Sequence, residues 1–130
     1  MQVLYVEDGA VNRRVLKEML RALGMEMLEA EDGAAGLAMI EANDFDLVLM
    51  DLHMPGMDGL TAISHLRARS DAKAQLPIVV VTADDCPAVA AECRTAGADD
   101  VLHKPVSLRA LQAAVRPWLS LGTSPGRAVA

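Results

Sequence analysis

Asp51 closes the apolar run Leu47-Val48-Leu49-Met50, and three other apolar runs close in polar groups that suit it: Glu7-Asp8, Thr82 and Lys104-Pro105. Phosphoryl transfer asks a protein mainly to position the reactants and to stabilise charge on the equatorial oxygens. This set supplies those parts. Asp51 is the nucleophile, a bound cation takes one phosphoryl oxygen, Lys104 takes a second and the Thr82 hydroxyl a third. Ala83 is small enough to leave the group room, and Pro105 constrains the backbone that carries Lys104. Glu7, Asp8 and Asp51 crowd three carboxylates together, which either raises a pKa or binds a cation. Oxygen-only ligands favour a hard ion such as magnesium (Mg2+). Three carboxylates, one such ion and the Lys104 ammonium leave the site without net charge.

Groups scattered over the chain meet only if the fold gathers them. Short apolar runs bounded by turn residues read as strands buried on both faces, the kind found in parallel sheets covered by helices. The pattern predicts strands near 2–6, 25–30, 47–51, 78–82 and 101–103, and helices near 11–23, 34–42, 58–69, 87–96 and 108–119. Val11, Val15, Leu16, Met19, Leu20 and Leu23 form the apolar stripe of the first helix, with Gly24 as its left-handed stop. The last helix carries Leu108, Leu111, Val115, Trp118 and Leu119, and Asp58 and Ser107 are placed as caps. Alternating strands and helices imply an α/β doubly wound parallel sheet of flavodoxin-like type, strand order 2-1-3-4-5, with five helices. Ligands of such sheets bind at the carboxyl ends of the strands, where all four groups fall. Taken singly they are ordinary: Asp58-Gly59 can cap a helix, Thr82 can end a strand and Met54-Pro55-Gly56 can be a turn. Their joint placement decides for a site.

The 130 residues suffice for one domain with a real core, placed at 1–119, and the small, polar stretch 120–130 reads as a flexible tail or linker. With 52% hydrophobic residues and only Tyr5, Phe45 and Trp118 as aromatics, that core is aliphatic. A net charge of −6 speaks against nucleic acid and anionic lipid as partners. Neither a signal peptide nor a membrane span is readable, so a soluble, cytoplasmic domain is expected. Cys86 and Cys93 on one helix are separated by a rise of roughly 10 Å, too far for a disulfide. They read as reduced thiols, Cys86 at a helix start where a thiolate would be stabilised.

Across residues 2 to 119 the chain resembles the receiver domains of two-component response regulators and hybrid histidine kinases. The segments that carry the resemblance are Val6-Glu7-Asp8, Leu49 through Gly59, Val81-Thr82-Ala83, Gly97-Ala98-Asp99-Asp100 and Lys104-Pro105. Val11-Asn12-Arg13-Arg14-Val15 is similar to receivers attached to hybrid kinases. The resemblance implies that Asp51 is phosphorylated and that Asp8, Asp51 and the backbone carbonyl of His53 bind magnesium, with Glu7 holding the metal's water. It makes Thr82 and Lys104 the switch hydroxyl and the phosphate-binding lysine. It also implies a phosphoacceptor with at most slow self-phosphorylation and self-dephosphorylation, monomeric as an isolated domain. The partner is then a histidine kinase or a histidine phosphotransfer domain. Two features depart from the family's commoner pattern or modify it. Val101 stands where the family often has an inward-turning Tyr or Phe, and His53 and Asp84 flank the path of an attacking water and can tune the lifetime of the phosphoryl group.

Two other classes share parts of this pattern. A flavin binder of the same architecture wants a hydroxyl- and glycine-rich loop after the first strand, where this chain has Glu7-Asp8. A phosphatase with an aspartyl-phosphate intermediate needs a general acid, often an Asp two residues beyond the nucleophile, where this chain has His53. A phosphohistidine donor would approach over the first helix and the loop after the fifth strand. There Val11, Val15 and Val106 offer an apolar patch, unless the two helical valines belong to the core.

Overall fold

Residues apolar at every position become strands only where both faces are covered, and Leu47–Met50 and Ile78–Val81 are buried throughout. The computed structural model describes residues 2–54 and 56–122, the last four by backbone alone. Its strands are β1 (Gln2–Val6), β2 (Glu26–Ala30), β3 (Leu47–Asp51), β4 (Ile78–Thr82) and β5 (Asp100–His103). Its helices are α1 (Ala10–Ala22), α2 (Gly33–Ala42), α3 (Gly59–Arg67), α4 (Pro87–Ala96) and α5 (Leu108–Gly122). A 3-10 turn over Ala72–Gln75 is the one element the sequence pattern did not signal. The helix expected over 108–119 continues to Gly122, and the part of the expected tail beyond it lies outside the described residues.

All strand pairs are parallel and the order is β2-β1-β3-β4-β5, the arrangement expected. Side chains alternate across the sheet, so each strand feeds two cores. Val6, Val48, Met50 and Val80 meet Ile40, Ile63 and Leu66 on one face. Tyr5, Leu49, Val79 and Val81 meet Leu16, Leu20, Leu111 and Val115 on the other. A fully buried side chain of this kind contributes about 1.5–3 kcal/mol, whereas an exposed ion pair contributes about 0–1 kcal/mol. The aliphatic layers therefore hold the strand ends in place.

Local signals agree with this packing. Gly24 has φ +82 just past α1, the left-handed stop expected. The Asp58 carboxylate accepts the Thr61 N–H at 2.9 Å and caps α3, and the Ser107 hydroxyl accepts the Ala110 N–H at 3.0 Å at the head of α5. Along the α1 stripe Leu16 and Leu20 are buried, whereas Val11 is 74% and Val15 48% exposed, so of the two placements open for these valines the structure takes the exposed one.

At the opposite edge Arg67 ties α3 to the start of β4. Its guanidinium donates to the carbonyls of Ala74 and Leu76, both at 2.7 Å, and of Gly97 at 2.9 Å, and to the Asp99 carboxylate at 3.0 Å. Asp99 in turn accepts the Ile78 N–H at 2.8 Å. Thus Asp99, one of the residues that carried the family resemblance, sets the register of β4 far from the site.

Candidate functional site

The register brings the polar strand ends together. Val6 lies opposite Met50 and Asp51 opposite Val81, while Thr82 lies opposite His103. Just past β5, the Lys104 N–H donates to the Thr82 carbonyl at 2.8 Å, which continues the ladder and lays the lysine back over the sheet. Its Nζ reaches Glu7 Oε1 at 2.8 Å and Asp51 Oδ1 at 3.4 Å. The side chains of Glu7, Asp51 and Lys104 thus meet at the carboxyl ends of the strands, and Thr82 is tied to Lys104 through the backbone beside them.

Glu7, rather than Asp8, is the buried member of the acidic pair, 2% exposed. Both of its oxygens are satisfied. The Gly9 N–H donates to Oε2 at 2.9 Å, and the Tyr5 hydroxyl donates to Oε1 at 3.0 Å beside Lys104. Arg13 adds a clamp from α1, donating to the Glu7 carbonyl at 2.8 Å and to Glu29 at 2.7 Å. Neither the Tyr5 nor the Arg13 contact was part of the sequence reading. A signal for Tyr5 was present, since it stands two residues before Glu7 and so shares its strand face.

Electrostatics follow from this geometry. Burial, and then the neighbouring Glu7 carboxylate, push the Asp51 carboxyl up from its ordinary value against the pull of Lys104. Burial works to raise Glu7 as well, but the hydrogen bonds from Lys104, Gly9 and Tyr5 hold it below the usual carboxylate range. Burial disfavours the Lys104 ammonium, yet Glu7 and Asp51 keep its pKa above the ordinary lysine value. Burial and Glu7 drive the Tyr5 phenol far upward, so it remains a donor. A carboxylate oxygen from each of Glu7, Asp8 and Asp51 lies within 4.8 Å of the other two. An all-oxygen set carrying this much negative charge fits a hard divalent cation.

The remaining residues surround the cluster. Thr82 is fully buried, and its hydroxyl oxygen accepts the Asp84 N–H at 3.1 Å. Asp84 is half-buried and its carboxylate accepts the Cys86 N–H at 3.0 Å, so one of its oxygens is engaged in the turn before α4. Ala83 is exposed on the rim of a cleft of about 450 Å³ together with Asn12, Val15, Lys104, Pro105 and Val106. The Lys104-Pro105 peptide bond is cis. His53 is an exposed loop side chain near Asp58, whose carboxyl is lowered first by the Thr61 N–H and to a lesser degree by His53. Val101 is half-buried against the layer under α4. No described helix is long and apolar enough to cross a membrane.

Known proteins share this arrangement. The family model for the response regulator receiver domain matches residues 3–116. The sensor protein GacS of Pseudomonas syringae pv. syringae is 40% identical over 125 residues, covering 92% of this chain and 14% of that protein. The chain therefore spans only a small part of that relative. The chemotaxis protein CheY-3 of Vibrio cholerae serotype O1 is 35% identical over 113 residues, 86% of each chain. Among solved structures, the receiver domain of a sensor histidine kinase from Pseudomonas aeruginosa PAO1 superposes with a TM-score of 0.83 at 33% identity, covering 92% of this chain and 97% of that one. That structure holds a magnesium ion coordinated in its active-site cleft.

Proposed function

Because the chain belongs to the response regulator receiver domain family, we propose that Asp51 accepts a phosphoryl group from a phosphohistidine in a magnesium-dependent step of a two-component phosphorelay. The observation that carries this reading is the Lys104 ammonium spanning Glu7 and Asp51, with the Asp8 carboxylate in reach of both. Three carboxylates and one ammonium leave the pocket negative, and a divalent cation would bring it to balance and suit it to an incoming anion.

Asp51 is the nucleophile: one carboxylate oxygen attacks phosphorus as the phosphorus–nitrogen bond breaks, and the imidazole leaves with the bonding pair. Lys104 receives one phosphoryl oxygen and the Thr82 hydroxyl another, for which it must turn its O–H toward Asp51. Asp8, Asp51 and the His53 carbonyl would hold magnesium and Glu7 its water, and the ion's contribution would be to offset carboxylate charge and polarise a phosphoryl oxygen. Burial assists Asp51 by excluding water, and the raised pKa marks a carboxylate that is poorly solvated and gains by finding a partner.

The donor is a histidine kinase or histidine phosphotransfer domain, and it docks over the cleft beside α1. Val11 and Val15 are exposed there, next to the apolar edge of Pro105 and Val106, with Asn12 and Arg14 as a polar border. A small apolar centre with a polar rim suits a transient interface. Transfer from a phosphorylated histidine phosphotransfer domain tests this reading. Wild type should take up the label, Asp51→Asn should not, and Val15→Asp and Val106→Asp should take it up at least tenfold more slowly while still reacting with acetyl phosphate. Unchanged transfer to both folded aspartate variants would move the docking surface elsewhere.

A further inference from the structure

Tyr5 is the largest fully buried side chain of the strand that leads into the acidic pair, only 1% exposed, and its ring belongs to the core beneath α1 and α5. Its hydroxyl is turned out of that core, toward the site. It donates to Glu7 Oε1 at 3.0 Å, the same oxygen that Lys104 Nζ holds at 2.8 Å, while Oε2 is satisfied separately by the Gly9 N–H. One buried carboxylate oxygen therefore has two donors of different kinds. Tyr5 is held by the core and cannot leave. Lys104 is on a flexible stem, 23% exposed, and also reaches Asp51.

We infer that Tyr5 is a positioning residue that releases Lys104: its hydroxyl keeps Glu7 Oε1 hydrogen-bonded when the ammonium swings away to an incoming phosphoryl oxygen. The physical reason is the asymmetry between a net hydrogen bond and an orphaned group. A buried carboxylate oxygen left without any donor carries its full desolvation penalty, whereas one that loses the second of two donors does not. With Phe at position 5, Lys104 becomes the only side-chain donor to Oε1, and the Glu7–Lys104 pair holds the ammonium back. The effect on phosphoryl acceptance rests on the reaction proposed above. The sharing of Oε1 does not, and it can be measured alone.

The test is a double-mutant cycle of Tyr5→Phe and Lys104→Met, read by urea unfolding of the metal-free protein and paired with acetyl phosphate labelling of Tyr5→Phe. If the two donors substitute for one another, the double variant loses more stability than the two single losses together, by roughly a further fivefold to tenfold in the unfolding equilibrium constant. Tyr5→Phe should also be labelled about fivefold to tenfold more slowly than wild type while unfolding cooperatively. Additive losses would overturn the sharing of Oε1. Coupled losses with labelling of Tyr5→Phe at the wild-type rate would overturn the release of Lys104. Failure of wild type itself to become labelled on Asp51 would instead refute the proposed reaction, and the unfolding cycle would still decide the role of Tyr5 at Glu7.

Discussion

Gly59 stands so close to the Asp51 carbonyl oxygen that a Cβ at position 59 would overlap it, and the Leu52 Cα would lie 2.9 Å away. The Gly59 N–H also donates to the Leu52 carbonyl at 3.0 Å. The head of α3 is thereby pressed onto the end of β3, and the loop carrying His53 must pass between them. Both obstructing groups are backbone and cannot rotate aside. Gly59→Ala should destabilise by about 1–3 kcal/mol, as overpacking does, and should slow labelling of Asp51 because the strand end must shift. Urea unfolding measures the first effect, and a variant as stable as wild type would show that the contact yields freely.

Asp51 itself stabilises less than an amide in its place would. Its folded pKa lies above the ordinary value of 3.8, chiefly through burial and then through Glu7. The sign follows directly. Between the unfolded and the raised folded pKa the native state binds more protons, so stability falls as pH rises through that window and the loss persists at neutral pH. In the absence of metal, Asp51→Asn should therefore melt higher than wild type at pH 7, by about 3 °C or more, and lose the advantage as pH drops below 3.8. Magnesium should raise the wild-type Tm by binding the native state alone, and raise that of Asp51→Asn much less. A metal-free Asp51→Asn variant that melts lower than wild type at pH 7 would remove the repulsion argument.

Much of this was legible because buried parallel strands announce themselves. Leu47-Val48-Leu49-Met50 and Ile78-Val79-Val80-Val81 are apolar without alternation, and their ends located Asp51 and Thr82 within a residue. Helix stripes were less informative. A periodicity of 3.6 identifies which residues share a face but not which of them the sheet covers, so the stripe left Val11 and Val15 open between core and surface, and both are exposed. The turn at Ala72–Gln75 is too short to show a period. Arg67 and Arg13 were missed because their partners are backbone carbonyls and carboxylates whose positions only the tertiary fold defines, whereas the strand face that Tyr5 shares with Glu7 was readable. In two cases the side-chain type fitted a simpler role, a cation in the last turn of α3 for Arg67 and a core aromatic for Tyr5.

The central claim is that Asp51 is the phosphoacceptor and that the acidic cluster must hold a divalent cation for the reaction to proceed. Intact-protein mass spectrometry after incubation with acetyl phosphate, with and without magnesium, tests it most directly. Wild type should gain a single phosphoryl group only when magnesium is present, and Asp51→Asn should gain none under either condition. Equal labelling of Asp51→Asn, or labelling of wild type that ignores magnesium, would contradict the account.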